Sequence, residues 1–422
     1  MLCLNFIILL LLEVGQCIQG CFSSVQYSIG KLIVLTVLQR IVSITDLPVY
    51  VKHVSTVLLG LLVLHDWLPR SGLVVPFLAG ICFFLMLCTC GYRYKGFTIT
   101  AASITSIILL QQFISSSDFL AIRGILMVLA MKISSLAFDF NRSAQLPDLL
   151  AFSAYLLSPA SLIFGPFHCF RDFQKTFERR TLKEELLSFV SGIGILFVAF
   201  CMLIYSSCLT TFLSQAYLFG DYFVAQSFRT SHYFVSFLSE GLMSLSGVRI
   251  PVTSPVPVEL PRSLVDVVVA WNIPMHRYLH SYVYVKFAHL GGAASIFASF
   301  AISSVLHGFN FQISSVLLSL GFICYFESKL RNRISKRFSM CVRARPCKDC
   351  DHKRGPKCWQ SILVNMLFFI HSVYQLVYLG APFDGEGASE GYNMHHTIST
   401  WRRHYFAAHW IGFVIALLSF CF

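Results

Sequence analysis

His307 lies at the end of a long apolar run that begins near residue 283. An ionisable side chain is costly inside a bilayer, so it usually faces a cavity or a partner. Imidazole is also the side chain best suited to move a proton near neutral pH. Asn272 stands 35 residues earlier beside apolar sequence, and an asparagine amide can hold a thioester carbonyl or stabilise an oxyanion. The pair therefore points to acyl transfer within a membrane.

Both residues also have a purely structural interpretation. His307 could be hydrogen-bonded between two helices. Asn272 could cap a helix or sit in a turn, because the dipeptide Ile273-Pro274 follows it and the residue before a proline avoids helical backbone. A single asparagine with this context is more often a cap than a catalytic group.

The neighbours of His307 favour a functional role. Gly308 permits close approach of another backbone or a ligand. Neither a Gly-x-Ser-x-Gly motif nor a cysteine that would serve as a nucleophile stands beside His307. A lone histidine can act as a general base if the donor itself supplies a reactive thioester. Further hydrogen-bonding groups that could contact the donor lie close by, at Ser303, Ser304 and Asn310.

The elements that must position these residues are membrane helices. The chain has 422 residues, of which 56% are hydrophobic and 12% charged, and its mean hydropathy is +0.69. Soluble domains carry roughly twice that share of charge. Apolar runs of about 20 residues recur along the chain, so we expect an all-α polytopic membrane protein. We predict one domain over residues 1–422, with about ten or eleven transmembrane helices and some re-entrant or interfacial ones.

The predicted spans are defined by the apolar runs. They lie near residues 28–44, 54–66, 73–90, 98–115, 119–138, 149–165, 187–218, 232–247, 263–271, 284–306, 311–326, 360–379 and 405–421. The leucine-rich residues 2–12 fit either a signal peptide or an uncleaved apolar segment, and the lack of a basic start favours the second. The stretch 251–262 holds four prolines and cannot be a regular helix, so it must be buried in protein or line water.

Positive charge is concentrated in one loop. Residues 329–357 hold eleven Lys or Arg and two Asp, a net charge of +9 out of +12. Nucleic-acid binding is one interpretation. The positive-inside rule explains the same pattern in a membrane protein, so we predict that the loop 329–358 is cytosolic and that no nucleic acid is bound. The loop 381–404 is then lumenal, with Asn272 toward the cytosolic side and His307 toward the lumenal side.

The same basic loop contains a cysteine cluster with zinc-ligand spacing. Its members are Cys341, Cys347, Cys350, His352 and Cys358. A cytosolic loop would keep these thiols reduced and available for structural zinc. S-acylation of cysteines near the membrane, or no special role, are the other interpretations.

Two short segments resemble the paired signature of the membrane-bound O-acyltransferase (MBOAT) family. They are Trp-Asn-Ile-Pro-Met at residues 271–275 and Leu-His-Gly-Phe at residues 306–309. Other segments resemble the branch of this family that acylates secreted Wnt proteins: residues 47–57, 130–139, 164–167, 231–240, 258–263, 271–326, 347–352 and 378–384. The similarity covers nearly the whole chain from about residue 45, whereas the first 40 residues match poorly.

The resemblance implies an MBOAT-type helical bundle around an acyl-CoA tunnel, in the membrane of the endoplasmic reticulum. It implies transfer of palmitoleate from palmitoleoyl-CoA to a serine of Wnt proteins, with no cofactor needed for the chemistry. His307 would be the catalytic base and Asn272 the second signature residue. The CoA head would enter from the cytosol, the Wnt serine would arrive from the lumen, and lipids would surround the bundle.

Three further residues are weaker candidates for contact with acyl-CoA. Trp271 could line the tunnel or simply pack, and packing is commoner. Arg262 could pair with a CoA phosphate, or it could be an interfacial anchor. Phe311 is close in sequence to His307 and adds apolar surface.

Other functions stay open from the residues alone. Another acyltransferase of the same family could use a lipid or a different secreted protein as acceptor. A non-catalytic scaffold could bind acyl-CoA or Wnt without transferring the chain. A transporter with His307 in a proton path would call for inverted repeats and for charges in several spans, and we find neither in the sequence.

Overall fold

The computed structural model describes residues 2–140, 146–210, 213, 220–347, 349–384 and 393–421. These residues form α-helices, short 3-10 and π turns and one isolated β-bridge, and there is no β-strand among them. The predicted all-α architecture is therefore confirmed. Residues 141–143, whose sequence Asn-Arg-Ser matches the signal for N-glycosylation, and part of the predicted lumenal loop lie outside the described residues.

The helices before residue 250 run in this order: α1 Leu2–Ile44, α2 Val49–Trp67, α3 Val74–Cys88, α4 Lys95–Phe113, α5 Ser116–Asp139, α6 Leu149–Leu156, α7 Pro159–Leu162, α8 Phe170–Gln174, α9 Leu182–Ile204 and α10 Gly220–Leu245. A 3-10 turn follows α8 at Lys175–Phe177, and a π turn extends α9 at Tyr205–Leu209.

The remaining helices are α11 Pro255–Glu259, α12 Leu264–Trp271, α13 Ile273–Leu279, α14 Val285–Phe287, α15 Gly292–Leu306, α16 Phe311–Phe338, α17 Trp359–Gly380, α18 Met394–Arg403 and α19 Ala407–Cys421. A π turn at His280–Tyr284 joins α13 to α14, and a 3-10 turn at Ala288–Leu290 follows α14.

Seven helices in the described part of the chain are long and apolar enough to cross a membrane. The bent pair α18 and α19, which turns by 77°, raises the number to eight if the pair counts as one span. Helices α3 and α15 are apolar but shorter. The polytopic prediction is confirmed, and among the described residues length and composition alone support seven or eight spans against the ten or eleven predicted.

Three predicted spans account for much of this difference. Residues 149–165 form two short helices, because Pro159 begins α7 and the residue before a proline leaves the helical region. Residues 232–247 belong largely to α10, a longer helix that is mostly polar along its first half. Residues 263–271 form only the eight-residue helix α12, which ends at Asn272.

The chain divides into two compact units. The first comprises Met1–Tyr217 and Arg229–Val252, and the second comprises Leu218–Phe228 and Thr253–Phe422. Both candidate catalytic residues, His307 and Asn272, lie in the second unit. The single domain expected from the sequence stays a prediction.

Close helix contacts and buried polar bonds hold the first unit together. Gly60 of α2 approaches the main chain of Leu157 so closely that a Cβ atom would collide with the carbonyl group there. Lys132 of α5 is fully buried, and its ammonium group donates to the Tyr155 carbonyl oxygen at 3.0 Å and to Ser161 Oγ at 2.8 Å. A buried cation needs such partners, because water is excluded around it.

A disulfide and an ion pair also belong to the first unit. Cys17 and Cys208 form the disulfide. Glu240 forms the ion pair with Arg249, with 3.0 Å between the Glu240 Oε1 and Arg249 Nε atoms. The Glu240 carboxylate also accepts from the Val252 main-chain nitrogen at 3.2 Å.

Helix α16 is the central element of the second unit. It packs against α15, α12 and α19. Apolar clusters line these contacts, such as Leu264 of α12 with Ile323 and Cys324 of α16. The arrangement positions the two helix breaks that carry the candidate catalytic residues, because α12 leads directly to Asn272 and α15 leads directly to His307.

Candidate active site

His307 occupies the turn at the end of α15. Its main-chain nitrogen donates to the Ser304 carbonyl oxygen at 3.2 Å, and Gly308 donates in the same way to Val305 at 2.9 Å. Gly308 has a φ of +80°, which is unfavourable for residues with a Cβ atom. This glycine therefore ends the helix and leaves the half-buried His307 side chain at the helix terminus rather than on a helix face.

Hydrogen bonds connect the turn at His307 to α16, the helix that follows it. Asn310 caps α16, because its Oδ1 atom accepts from the Ile313 main-chain nitrogen at 3.0 Å. Ser304 Oγ donates to Ser314 Oγ at 2.6 Å, a direct bond between α15 and α16. The two helices thus fix the backbone on both sides of His307.

The other predicted residues near His307 have distinct environments. Ser303 and Ser304 are buried. Phe311 begins α16 and is 41% exposed, so a large part of its ring remains accessible. The structure therefore brings His307, Ser304 and Asn310 into one helix–turn–helix, with Phe311 at its edge.

Asn272 forms the break between α12 and α13. Its Oδ1 atom accepts from the Met275 main-chain nitrogen at 3.1 Å, which is the capping bond considered from the sequence. Pro274 stands in the first turn of α13, where its missing N–H has no consequence. The capping interpretation is therefore confirmed for the oxygen end of this side chain, and the amide nitrogen Nδ2 is its hydrogen-bond donor end.

The proline-rich segment 251–262 makes hydrogen bonds to the end of α12, next to this break. Ser254 N and Thr253 Oγ1 both donate to the Ala270 carbonyl oxygen, at 3.0 and 3.1 Å. Ala270 directly precedes Trp271, so this segment binds the carbonyl end of α12 next to the candidate site. The expectation that residues 251–262 cannot form a regular helix holds except for the short α11, where Pro255 occupies the first turn.

Trp271 packs against aromatic rings. Its ring is 6.0 Å from that of Phe228 at an interplanar angle of 27°. Phe228 in turn stacks on Phe383, with 4.1 Å between centroids. The packing interpretation of Trp271 is thus the one that its contacts support.

The start of α12 is fixed by three side chains. The Leu264 main-chain nitrogen donates to Glu327 Oε2 at 3.1 Å, and Ser263 Oγ donates to the Ala344 carbonyl oxygen at 3.2 Å. Arg262 donates through Nη2 to the Cys341 carbonyl oxygen at 3.0 Å and through Nε to that of Arg343 at 3.2 Å. Arg262 therefore ties α12 to the cysteine loop, which favours a structural role over contact with a CoA phosphate.

Sequence reasoning missed a buried ion pair beside this segment. Glu327 and Arg331 of α16 are essentially inaccessible, and Arg331 Nη1 lies 3.5 Å from Glu327 Oε1. Arg331 also donates to Asn365 Oδ1 at 2.9 Å and to the Arg262 carbonyl oxygen at 3.1 Å. The available signal was the spacing of opposite charges four residues apart at the end of an apolar run.

The elements next to Asn272 and His307 pack against one another in the second unit. The π turn that follows α13 packs against α15, and α12 packs against α16. Each of the two residues stands at a helix terminus. A histidine base and an asparagine amide on such termini suit the proton transfer and carbonyl polarisation of acyl transfer.

The cysteine loop brings four of its five predicted ligands together. The ligand atoms all lie within 4.8 Å of one another, and they belong to Cys341, Cys347, Cys350 and His352. Cys358 is not part of this group. Its Sγ atom donates to Gln360 Oε1 at 2.6 Å, at the beginning of α17. The structure therefore brings together four of the five predicted residues, and metal binding by them stays a prediction.

Comparison with known proteins identifies similar sequences over most of the chain. The profile of the MBOAT, membrane-bound O-acyltransferase family, matches residues 81–347. A protein-serine O-palmitoleoyltransferase porcupine from Caenorhabditis briggsae is 34% identical, with 78% of each chain covered. Proteins of the same name from Mus musculus and Homo sapiens are each 31% identical, with 94% of this chain and 95% of theirs covered.

Proposed function

The chain belongs to the membrane-bound O-acyltransferase family and is an acyltransferase, and on this premise we propose that it transfers a palmitoleoyl group from palmitoleoyl-CoA to a serine hydroxyl of Wnt proteins. The observation that carries the proposal is the similarity to protein-serine O-palmitoleoyltransferases over 94% of the chain. The position of His307 at a fixed helix terminus, in the same compact unit as Asn272, gives the reaction a chemical basis.

His307 acts as the general base in this proposal. It removes the proton from the serine hydroxyl as the oxygen attacks the thioester carbonyl carbon. The tetrahedral intermediate then collapses, the carbon–sulfur bond breaks, and the imidazolium returns the proton to the leaving CoA thiolate. The product is a serine ester, and no covalent enzyme intermediate is needed because the thioester is already activated.

Asn272 polarises the thioester carbonyl. Its Oδ1 atom is engaged in the capping bond to Met275. The Nδ2 group is therefore the end that donates to the carbonyl oxygen, where negative charge develops in the transition state. The cap assists this role because it fixes the rotation of the amide.

The walls of the donor site involve residues near His307. We propose Ser303, Ser304, Asn310 and Phe311 as lining groups. Trp271 and Arg262 act as supports through their own contacts with Phe228 and with the loop between α16 and α17. Burial of the fatty chain contributes about 0.8 kcal/mol for each methylene removed from water. The fatty acyl group thus gains most of its binding affinity from contact with apolar helix surfaces.

The membrane arrangement follows from charge. We propose that the basic segment 329–358, which comprises the last turns of α16 and the loop that follows it, faces the cytosol in the endoplasmic reticulum membrane. Acyl-CoA then approaches from the cytosolic side, and the Wnt serine approaches from the lumen.

A panel of donors and acceptors with the purified full-length protein tests the proposal. The donors are palmitoleoyl-CoA and palmitoyl-CoA. The acceptors are a disulfide-bonded Wnt hairpin peptide, the same peptide with its serine replaced by alanine, and a lysophospholipid. We expect ester formation only on the serine peptide and faster transfer from palmitoleoyl-CoA.

The other outcomes are equally informative. Acylation of the lysophospholipid in place of the peptide would move the chain to the lipid-modifying enzymes of the same family. Tight binding of acyl-CoA without transfer to any acceptor would support the scaffold interpretation.

A further inference from the structure

The loop between α16 and α17 gathers four side chains with the chemistry of zinc ligands. His352 Nδ1 lies 3.3 Å from Cys350 Sγ and 3.9 Å from Cys347 Sγ. Cys341 completes the group, in which all four ligand atoms are within 4.8 Å of one another. Zinc–sulfur and zinc–nitrogen bonds of about 2.3 and 2.0 Å in a tetrahedron place neighbouring ligand atoms roughly 3.5 to 3.8 Å apart. The observed separations are already close to that geometry.

A hydrogen bond fixes the orientation of the imidazole. Ser335 Oγ donates its proton to the Met340 carbonyl oxygen at 2.8 Å. The same hydroxyl lies 2.9 Å from His352 Nε2, so it accepts from an Nε2–H group. The lone pair of neutral His352 is then on Nδ1, which faces the thiols. Metal-bound histidines are typically oriented by such a bond from their second nitrogen.

Main-chain bonds hold the two arms of the loop together. The Cys341 nitrogen donates to the Arg354 carbonyl oxygen and the Arg354 nitrogen to the Ser339 carbonyl oxygen, both at 2.9 Å. Met340 and Arg354 form the isolated β-bridge. The four side chains therefore converge through backbone structure rather than by flexible approach. The cysteines are free thiols, although their separation is short.

We propose that one zinc ion is bound tetrahedrally by four side chains of this loop, namely Cys341, Cys347, Cys350 and His352. Three thiolates and one imidazole leave the bound zinc with a net charge of −1, which the surrounding Lys and Arg residues neutralise. All four positions are taken by protein ligands, so the ion is structural rather than catalytic. This inference goes beyond the acyl transfer proposed above and does not depend on it.

The zinc site would stabilise the base of α12. The Cys341 carbonyl oxygen accepts from Arg262 Nη2 at 3.0 Å and from Asn365 Nδ2 at 3.1 Å. The next turns of the loop accept from Ser263 and Arg331. One residue thus supplies both a metal ligand and the carbonyl that anchors the helix leading to Asn272. The ion is therefore expected to order the segment 262–272 as well as the loop itself.

Metal content of the purified full-length protein tests the site directly. We expect about one zinc per chain in the wild type, measured by elemental mass spectrometry after gel filtration. Cys350→Ser is expected to lose most of this zinc. Cys358→Ser is the matched control, because it removes a thiol from the same loop but outside the cluster, and it should retain the wild-type content.

Two further variants separate loss of metal from loss of folding. Cys350→His keeps a ligand atom and should retain zinc. Ser335→Ala keeps all four ligands, removes the bond to His352, and should lower zinc affinity roughly ten- to hundredfold. Cobalt added to the metal-free wild type should give the charge-transfer and visible bands of a tetrahedral thiolate site.

Three results would overturn the proposal. The first is wild-type protein that has no zinc and gives no thiolate–cobalt bands. The second is zinc retained equally by Cys350→Ser and Cys358→Ser, which would place the metal elsewhere. The third is a loop peptide whose mass shows fatty acyl thioesters on the cluster cysteines, which would assign the loop to S-acylation.

Discussion

Substitution of Asn272 separates the structural and catalytic roles of this residue. In the structure Oδ1 caps α13 through the Met275 nitrogen at 3.1 Å. Serine and aspartate cap helices about as well as asparagine, so Asn272→Ser and Asn272→Asp should leave the free energy of unfolding within about 0.5 kcal/mol of wild type. Both remove the amide donor. Loss of one oxyanion donor typically lowers kcat about 10²- to 10³-fold, which equals about 2.7–4 kcal/mol of transition-state stabilisation.

The assay pairs two measurements on each preparation. Acyl transfer to a serine peptide gives kcat, and thermal unfolding in detergent gives stability. Asn272→Ala should lose about 0.5–2 kcal/mol of stability in addition to activity, because it removes the cap as well. A kcat of Asn272→Ser equal to that of the wild type would refute the proposed donor role and leave Asn272 as a helix cap only.

Three further predictions concern the scaffold. Glu327→Ala leaves Arg331 buried without its partner and should cost about 3–5 kcal/mol in thermal unfolding, whereas the double variant with Arg331→Met should lose less. Gly60→Ala should destabilise by about 1–3 kcal/mol or prevent folding, while Gly80→Ala, with open space around it, should be neutral. Burial, assisted by a nearby lysine, lowers the pKa of His168 from 6.5 to about 3, so the unfolded chain binds a proton in this window and the folded chain does not. Stability should therefore be fully present above about pH 6.5 and decline as the pH falls toward 3, and His168→Gln should flatten that part of the profile.

The helical membrane architecture was predictable because apolar runs of this length have few alternatives. The boundaries of the individual helices were less predictable from the sequence. The run 149–165 reads as one span, yet Pro159 divides it into two short helices. Helix α10 begins well before the predicted span, because its first half contains polar residues that an apolar run does not include. An apolar run indicates that a segment avoids water, but it does not distinguish burial in protein from exposure to lipid. Short buried helices were therefore counted as spans.

The candidate site was predictable in part for a similar reason. The turn at His307 follows from Gly308, and the break at Asn272 follows from Pro274, so both positions are encoded locally. The contacts of Arg262 and Trp271 are not encoded locally. Their partners are distant in the sequence, at Cys341 for Arg262 and at Phe228 for Trp271. Tertiary contacts of this kind favour a supporting role for both residues, and their contact with acyl-CoA stays a prediction.

The composition of the cysteine cluster shows the same limit at a shorter range. Spacing alone placed Cys358 with the other ligands. In the structure Cys358 directly precedes α17, and its thiol bonds to Gln360 instead of joining the cluster. The other four side chains converge because Met340 and Arg354 form a β-bridge, and no local sequence pattern predicts that bridge.

The most direct test of the central claim is acyl transfer by His307→Ala beside the wild type. His289→Ala is the matched control, since this exposed histidine lies in the turn before α15. With palmitoleoyl-CoA and the serine peptide, His307→Ala should lower kcat about 10²- to 10⁴-fold while folding and acyl-CoA binding persist, and His289→Ala should match the wild type. Equal kcat for the wild type and a folded His307→Ala would contradict the role of His307 as the base.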